Sequence, residues 1–495
     1  MKKIFLAALL VLLVVSIPSI TQPEEETTLK PHDPIYINGN EEFTAENGVV
    51  SGSGTEEDPY IIEGWEIIGG DFGIAIANTD AYFTIRNCKV REVVKWDGIA
   101  LDNVRNGRIE NCIVQKVLRQ NGIALNDSHN CTLANNLVEN SQLDVIALFT
   151  SDNNILQGNT VRSDSQWQYL CGIKLYGSSN NLLHNNTSTG NRVGIVVRDL
   201  NGYGVDSIGN ILLRNSSYDN DIDGIRLFQA KKTTVSGNTT MNNGEDGIRV
   251  AKSEDSILSN NVVESNEHGI SLHGSTGSLI VKNDMVRNAL GIAFWESSGN
   301  IFHHNNIIHN KKDVSGSATS QNQWDDGSEG NYWDDYSGWD GNGDGISDTP
   351  YRIGEGSVDR YPLMHPWKPS VVAIGIKFTG TDEFVTVRNW SEEDIDLTEW
   401  QLKSVDLETE EVVYAFLFPV GCQLPANGKI RVHSGPAATG RENNPCGSPE
   451  MDLYQSWNDL EDGGYVWDDL EGIVQLINDE GEVADEYKYH WWMGG

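Results

Sequence analysis

Apolar residues alternate with polar ones in short bursts along most of this chain, and the bursts recur. The phrase "GIxL" or a close variant returns ten times, at Gly73, Gly98, Gly122, Val145, Gly172, Gly194, Gly224, Gly247, Gly269 and Gly291. The spacings run from 22 to 30 residues. A second phrase alternates with it, as in "TLANNLV", "TVSGNTT" and "ILSNNVV". Period-two alternation in runs this short predicts strands, and self-similarity at this period predicts a solenoid. At ~3.3 Å per strand residue, a 22-residue repeat holds three short strands and three bends, one turn of a parallel β-helix. Leucine-rich repeats of similar period need more leucine and a helical half. About ten coils are expected, rising roughly 48 Å at ~4.8 Å per coil.

Aligning the second phrase puts Asn136, Asn159, Asn186, Asn215, Asn238, Asn261, Asn283 and Asn305 at one position, with Cys88 and Cys112 in the first two coils. A buried asparagine must be paired, and a vertical ladder pairs it with its own turn and the next. Cys88 and Cys112 are then vertical neighbours, with disulfide and stacked free thiols both open. With Cys131 and Cys171 they admit three pairings, whereas Cys422 and Cys446 stand apart and pair best with each other. Ladder asparagines within N-x-Ser/Thr are poor glycan acceptors, which leaves Asn126 and Asn389.

In each GIxL strand the Ile and Leu point inward, so the flanking positions point outward. The first three coils are bland there, with Ala75, Ala77, Ala100, Asp102, Ala124 and Asn126. From the fourth coil one face gathers Phe149, Lys174, Tyr176, Arg198, Arg226, Phe228, Arg249, His273 and Trp295. Aromatic faces stack on sugar rings, and Arg and Lys pair with carboxylates or sulfates, so this stripe predicts a polysaccharide or cell-envelope glycan as partner. The plainer alternative is exposed strand chemistry, with the arginines neutralised by Asp223 and Asp246. Asp223, Arg226, Asp246, Arg249 and His268 also supply residue types for catalysis, although the direction of the aspartates, just before glycine, is not fixed by the pattern.

The repeats resemble the right-handed parallel β-helix proteins grouped as carbohydrate-binding proteins and sugar hydrolases, especially the NosD-like branch. The resemblance spans about residues 34–367. "NGVVSGSGTEEDPYIIEGWEI" resembles an N-terminal cap, and "NQWDDGSEGNYWDDYSGWDGNGDGISDTPYRI" with "DRYPLMHPW" a C-terminal cap. Trp324, Tyr332, Trp333, Tyr336 and Trp339 would cover the last coil. The NosD likeness implies copper delivery, to which the residues add little. The six methionines are scattered, and alternation puts His303 and His304 of "HHNNIIH" on opposite faces.

After Pro369 longer alternating strands with turn signals predict a small β-sandwich. Asn389 with Asp396, Leu397, Thr398, Glu399 and Trp400, and the closing "QLINDEGEVADEYKY", resemble the immunoglobulin-like lamin-tail domain. The expected organisation is a signal peptide at 1–21, a linker at 22–33, the all-β right-handed helix at 34–310, its cap at 311–369 and the sandwich at 370–495.

"DGNGDGISD" spaces Asp340, Asn342, Asp344, the Ile346 carbonyl and Asp348 as the first nine positions of a calcium loop. Tyr351 stands where the bidentate glutamate belongs. A structural calcium bracing the cap is expected.

Lys2 and Lys3 before the apolar run Ile4–Val15 predict export, the run being short of the ~20 residues of a spanning helix. No other stretch is long enough to span. A net charge of −37 argues against nucleic acid. An exported, cell-surface glycan-binding protein is the reading these features favour. The rival is a calcium-dependent polysaccharide lyase or glycoside hydrolase, and a structural surface-layer protein is third.

Overall fold

The computed structural model describes residues 29–490 apart from 164–170, 201–203, 317–320, 343, 355–356, 365, 368–370, 378–382, 390–393, 407–411, 427, 435–446, 448–449, 455–470, 480 and 482. The expected signal peptide lies outside these residues, as does Cys446 of the expected Cys422–Cys446 bridge.

Three sheets of 13, 12 and 12 strands form a right-handed parallel β-helix. Each strand pairs with its counterpart one coil away, as in Ile225 on Ile248 and Ile248 on Ile270. The GIxL sheet runs from Ile35–Asn38 to Val314–Gly316. Its twelve strands are two more than the ten phrases, because an Ile35–Asn38 rung precedes the first phrase and Val314–Gly316 follows the last. Neither carries the phrase, so counting phrases undercounts coils.

The core is a column of stacked apolar side chains. Ile99, Ile123, Ile146, Ile173, Ile195, Ile225, Ile248, Ile270 and Ile292 are all fully buried. Each such burial stabilises by about 1.5–3 kcal/mol. The glycine before each of these but Ile146, which follows Val145, packs closely against the next coil. A Cβ on Gly194 would sit 1.8 Å from Ser217 Oγ and 2.6 Å from the Gly224 carbonyl of the next coil.

The asparagine ladder forms as expected. The amide N–H and Nδ2 of Asn215 both donate to Asn238 Oδ1 (2.8 and 2.9 Å), and Asn238 does the same to Asn261 (2.9 and 3.0 Å). Nδ2 also reaches back to a carbonyl of the preceding coil, as from Asn238 to Leu212 (2.9 Å). The residue before each ladder position is left-handed: Asn135, Gly158, Asn185, Arg214, Gly237, Asn260, Lys282 and His304 have φ between 54° and 62°. That conformation favours Asn and Gly, which explains the repeated "NN" and "GN". Further ladders were not anticipated. One runs through Asn191, Asn220, Asn243, Asn266 and Asn288, and another through Ser128, Ser151, Ser178 and Ser207. Cys88, Cys112, Cys131 and Cys171 are free thiols.

At the C-terminal end the ladder closes on a carboxylate: Asn305 donates to Asn331, and Asn331 N–H to Asp359 Oδ2 (2.8 Å). Trp333 Nε1 donates to the same oxygen (2.9 Å). Burial pushes the Asp359 carboxyl up to about 6. Trp324 and Trp333 are buried, Trp324 stacking on Phe302 (4.4 Å) and Trp333 on Tyr351 (4.5 Å). Trp339 departs from its expected role in the cover, being 70% exposed.

Beyond the helix, a four-stranded sheet, a two-stranded ribbon and a second four-stranded sheet share one core that includes Val385, Leu402, Phe418, Ile430 and Val474. This is the expected sandwich. Asn389 is fully buried and donates to the carbonyls of Leu424 and Pro425 (both 3.0 Å), so the expectation of an exposed glycan acceptor there is corrected.

Candidate functional site

The stripe forms as two files on consecutive strands of the GIxL sheet, from Ile146–Phe149 to Leu290–Trp295. Register stacks Ala147, Lys174, Val196, Arg226, Arg249, Ser271 and Ala293 in one file. Phe149, Tyr176, Arg198, Phe228, Ala251, His273 and Trp295 stack in the other. All nine predicted residues therefore share one face.

In the outer file the side chains pack on each other. Phe149 meets Tyr176 edge-on (5.9 Å), and the Arg198 guanidinium lies between the Tyr176 and Phe228 rings (4.9 and 5.3 Å). Among the described residues no carboxylate pairs with Arg198 within salt-bridge distance. His273 stacks on Trp295 at 4.3 Å. Burial and the Arg249 charge hold the His273 imidazole below its usual range.

The inner file rests on aspartates whose direction the pattern left open. Asp144, Asp223 and Asp246 lie two residues before the inward Ile and are buried. Asp246 begins a strand, Asp246–Ala251, so alternation extends to it and turns it inward. One carboxylate oxygen accepts the amide of the following coil, as Asp144 Oδ1 does from Cys171 (3.0 Å) and Asp223 Oδ1 from Asp246 (3.3 Å). The other oxygen is left for the stripe. Lys174 Nζ is 2.8 Å from Asp144 Oδ2, Arg226 Nε bonds Asp223 Oδ2, and Arg249 is 3.3 Å from Asp246 Oδ2. The neutralisation of the arginines by Asp223 and Asp246 is thus observed.

These buried charges perturb one another. Burial pushes the Asp223 carboxyl up to about 6, and Asp246 adds to this against the pull of Arg226. Burial lowers the Lys174 ammonium, but Asp144 outweighs it and holds the group above its usual value. His268 Nδ1 lies 2.7 Å from Asp246 Oδ1, and that bond raises the imidazole above its usual range despite burial. Asp246 thus holds both Arg249 and His268.

The loop in which calcium was expected is a tight turn. Gly345 has φ 82°, and its N–H donates to Asp340 Oδ2 (2.9 Å). Asp344 Oδ1 accepts from Ile346 N–H (2.9 Å), Asn342 donates to Asp344 Oδ2 (2.8 Å), and Asp348 Oδ2 accepts from Gly341 N–H (2.8 Å).

One expectation is overturned. His303 and His304 do not face opposite ways: their Nδ1 atoms are 2.9 Å apart. The strand ends at His303, and His304 occupies the left-handed bend position, φ 56°, where alternation no longer applies.

These features define a right-handed parallel β-helix protein with a small sandwich domain behind it. Residues 72–220 match the family model described as right handed beta helix region, 171–338 that of periplasmic copper-binding protein (NosD), and 368–490 that of the lamin tail domain. The chain thus combines a NosD-like β-helix with a lamin tail domain. No curated protein matches the sequence. Solved structures similar to it include the A-module of mannuronan C-5 epimerase AlgE4 of Azotobacter vinelandii, at 15% identity, 58% of this chain, 88% of that chain and TM-score 0.39. The periplasmic alginate epimerase AlgG gives 14% identity, 58% of this chain, 82% of that chain and TM-score 0.39. The Dettilon tailspike protein gp208 gives 13%, 78%, 84% and 0.38. At these values the likeness carries no argument about function.

Proposed function

We propose that this is an exported, cell-surface β-helix protein that binds an acidic polysaccharide along the GIxL face, with the lamin tail domain as an attachment module. The supporting observation is the in-register filing of Lys174, Arg226 and Arg249 beside Tyr176, Arg198, Phe228 and Trp295. Buried carboxylates hold the charged ends of the inner cations in fixed positions. Guanidinium N–H groups not used internally are the donors an acidic sugar needs. Arg198, between two rings, is the cation of its file that no described carboxylate holds within salt-bridge distance. Among the described residues no helix is long and apolar enough to cross a membrane.

The test is binding of the purified chain to a panel of acidic and cell-wall polysaccharides. Arg198→Ala and Trp295→Ala orphan no buried carboxylate. Each is expected to weaken binding by about tenfold, the scale of one charge-assisted or stacking contact. Absence of binding to every polysaccharide in the panel removes the reading. Calcium held by Asp340, Asn342, Asp344, Ile346 and Asp348 would brace the cap. It predicts a melting temperature that rises with added CaCl2 and stops rising in Asp340→Ala/Asp344→Ala.

A second reading, a polysaccharide lyase, is favoured by the Asp246–His268 contact beside Arg249. Arg249 would pair with a uronate carboxylate, and His268 Nε2 would take the proton on the carbon bearing it. The bond to the leaving oxygen then breaks, a carbon–carbon double bond forms, and that oxygen takes a proton. Unsaturated products absorbing in the ultraviolet, lost in His268→Ala, are the expected signature. A glycoside hydrolase would instead release new reducing ends.

A further inference from the structure

The sandwich domain ends one of its sheets on an exposed, uncharged strand. Val412–Leu417 pairs with Gln401–Val405 on one side and has no neighbouring strand on the other among the described residues. An end strand offers backbone donors and acceptors to any chain that can approach, and proteins blunt such edges with charged residues. The other end strands of the two four-stranded sheets carry them. Val371–Lys377 has Lys377, Glu450–Tyr454 has Glu450 and Asp452, and Val483–His490 has Asp485, Glu486 and Lys488. Val412–Leu417 has none, and no Asp, Glu, Lys or Arg occurs from Val412 to Gly428.

The side chains sharpen the contrast. Phe416 is buried in the sandwich core and Tyr414 packs against it, so Val413, Ala415 and Leu417 take the opposite face. Val413 is 49% exposed and Leu417 60%, and Ala415 is exposed between them.

Charge and register together select a second copy of this chain as the partner. Each copy carries a net charge of −37, so two copies repel wherever acidic surfaces meet. The uncharged edge lets them touch without opposing like charges. A two-fold axis through Ala415, normal to the sheet, pairs the strand antiparallel with itself. Directly opposite residues then share a face. Val413 lies across from Leu417 of the second copy on either side of the axis, and Tyr414 across from Phe416. Every pair is apolar or aromatic, with the small Ala415 facing its own counterpart.

We propose that Val412–Leu417 joins two copies of this chain edge to edge, an isologous contact that merges two four-stranded sheets into one continuous sheet. The contact is independent of the glycan-binding face.

The test is sedimentation velocity on the full mature chain up to about 100 μM, in about 0.1 M and about 1 M NaCl. A six-residue edge makes a small interface, so a dimer with a micromolar dissociation constant is expected. Salt screens the net charge and leaves the apolar contact, so dimerisation should tighten at least about tenfold at the higher salt. Ala415→Glu sets two carboxylates face to face across the axis, and Leu417→Lys sets an ammonium against Val413. Each should weaken dimerisation at least about tenfold, although the two change the net charge in opposite directions. Val483→Lys, at an exposed apolar residue on the opposite end strand of the same sheet, should dimerise as the wild type does. Ala415→Cys should form a disulfide between copies in air, whereas Val413→Cys should not. Should neither charged variant fold, that pair of cysteine variants decides. An unchanged dimer in a folded Ala415→Glu or Leu417→Lys overturns the proposal, and so does a dimer that loosens in salt. A chain that stays monomeric throughout also overturns it, and leaves the edge to a strand of another protein.

Discussion

Two columns of side chains climb the same solenoid, and they are built differently. The inner column repeats one residue: Asn136, Asn159, Asn186, Asn215, Asn238, Asn261, Asn283 and Asn305 each perform the same bonding. The surface file that carries the cations varies instead, from Ala147 through Lys174, Val196, Arg226 and Arg249 to Ser271. The coil-to-coil geometry is common to both. Repetition therefore marks what the backbone needs, and variation marks where the surface is free to carry chemistry. The aspartates stand between these cases, since Asp223 accepts an amide of the next coil and also holds Arg226.

The sharpest way to break the contrast is Asn238→Ala. It strips the acceptor from Asn215 N–H and Nδ2 and the donor from the Leu212 carbonyl, all buried. At ~1–3 kcal/mol for each buried polar group left unsatisfied, a loss of about 3 kcal/mol is expected in urea unfolding. A loss under about 1 kcal/mol would show that the column is not structural.

The intermediate case is Asp223. Its carboxyl is raised to about 6 in the folded chain, above the ~3.9 of an unfolded aspartate. Between those values the folded state holds the proton that the unfolded state has released. Its contribution is therefore fully present below about pH 4 and lost as pH rises through about 6. The decline amounts to about 2 kcal/mol between those limits. Urea midpoints measured across this range should fall more steeply in the wild type than in Asp223→Asn. Parallel slopes would refute the assignment.

On the outer file, Arg198→Ala should leave unfolding within about 1 kcal/mol of the wild type while weakening polysaccharide binding. Equal damage to stability and binding would erase the distinction between the columns. The smallest effect is expected for Cys112→Asn, which extends the inner column by one member. Cys112 N–H already donates to Asn136 Oδ1 at 2.9 Å, so stability should stay within about 1 kcal/mol.

Much of this was legible in the primary structure because period-two alternation holds wherever a strand holds. It placed the inward isoleucines, the ladder asparagines and all nine stripe residues. The failures cluster at strand ends. The pattern leaves the direction of Asp246 open, but the residue starts its strand, so it obeys alternation. His304 was read as a strand residue but fills the left-handed position, so it escapes it. Both were recoverable from the repeats, since His304 aligns with Asn185 and Gly237 just before a ladder asparagine. The second asparagine ladder went unread because its members, such as Asn191 and Asn220, sit outside both recurring phrases. Side-chain pairings such as Lys174 with Asp144 depend on rotamers, which spacing does not encode.

The joints of the asparagine column all point one way, with donors on the earlier turn and acceptors on the later, until Asp359 supplies an oxygen that needs no successor. A column with identical, one-way joints and a fixed terminator can gain or lose whole turns anywhere along its middle. Its length is thus open to change by duplication or loss of a 22-residue unit, and with it the reach of whatever face the molecule offers.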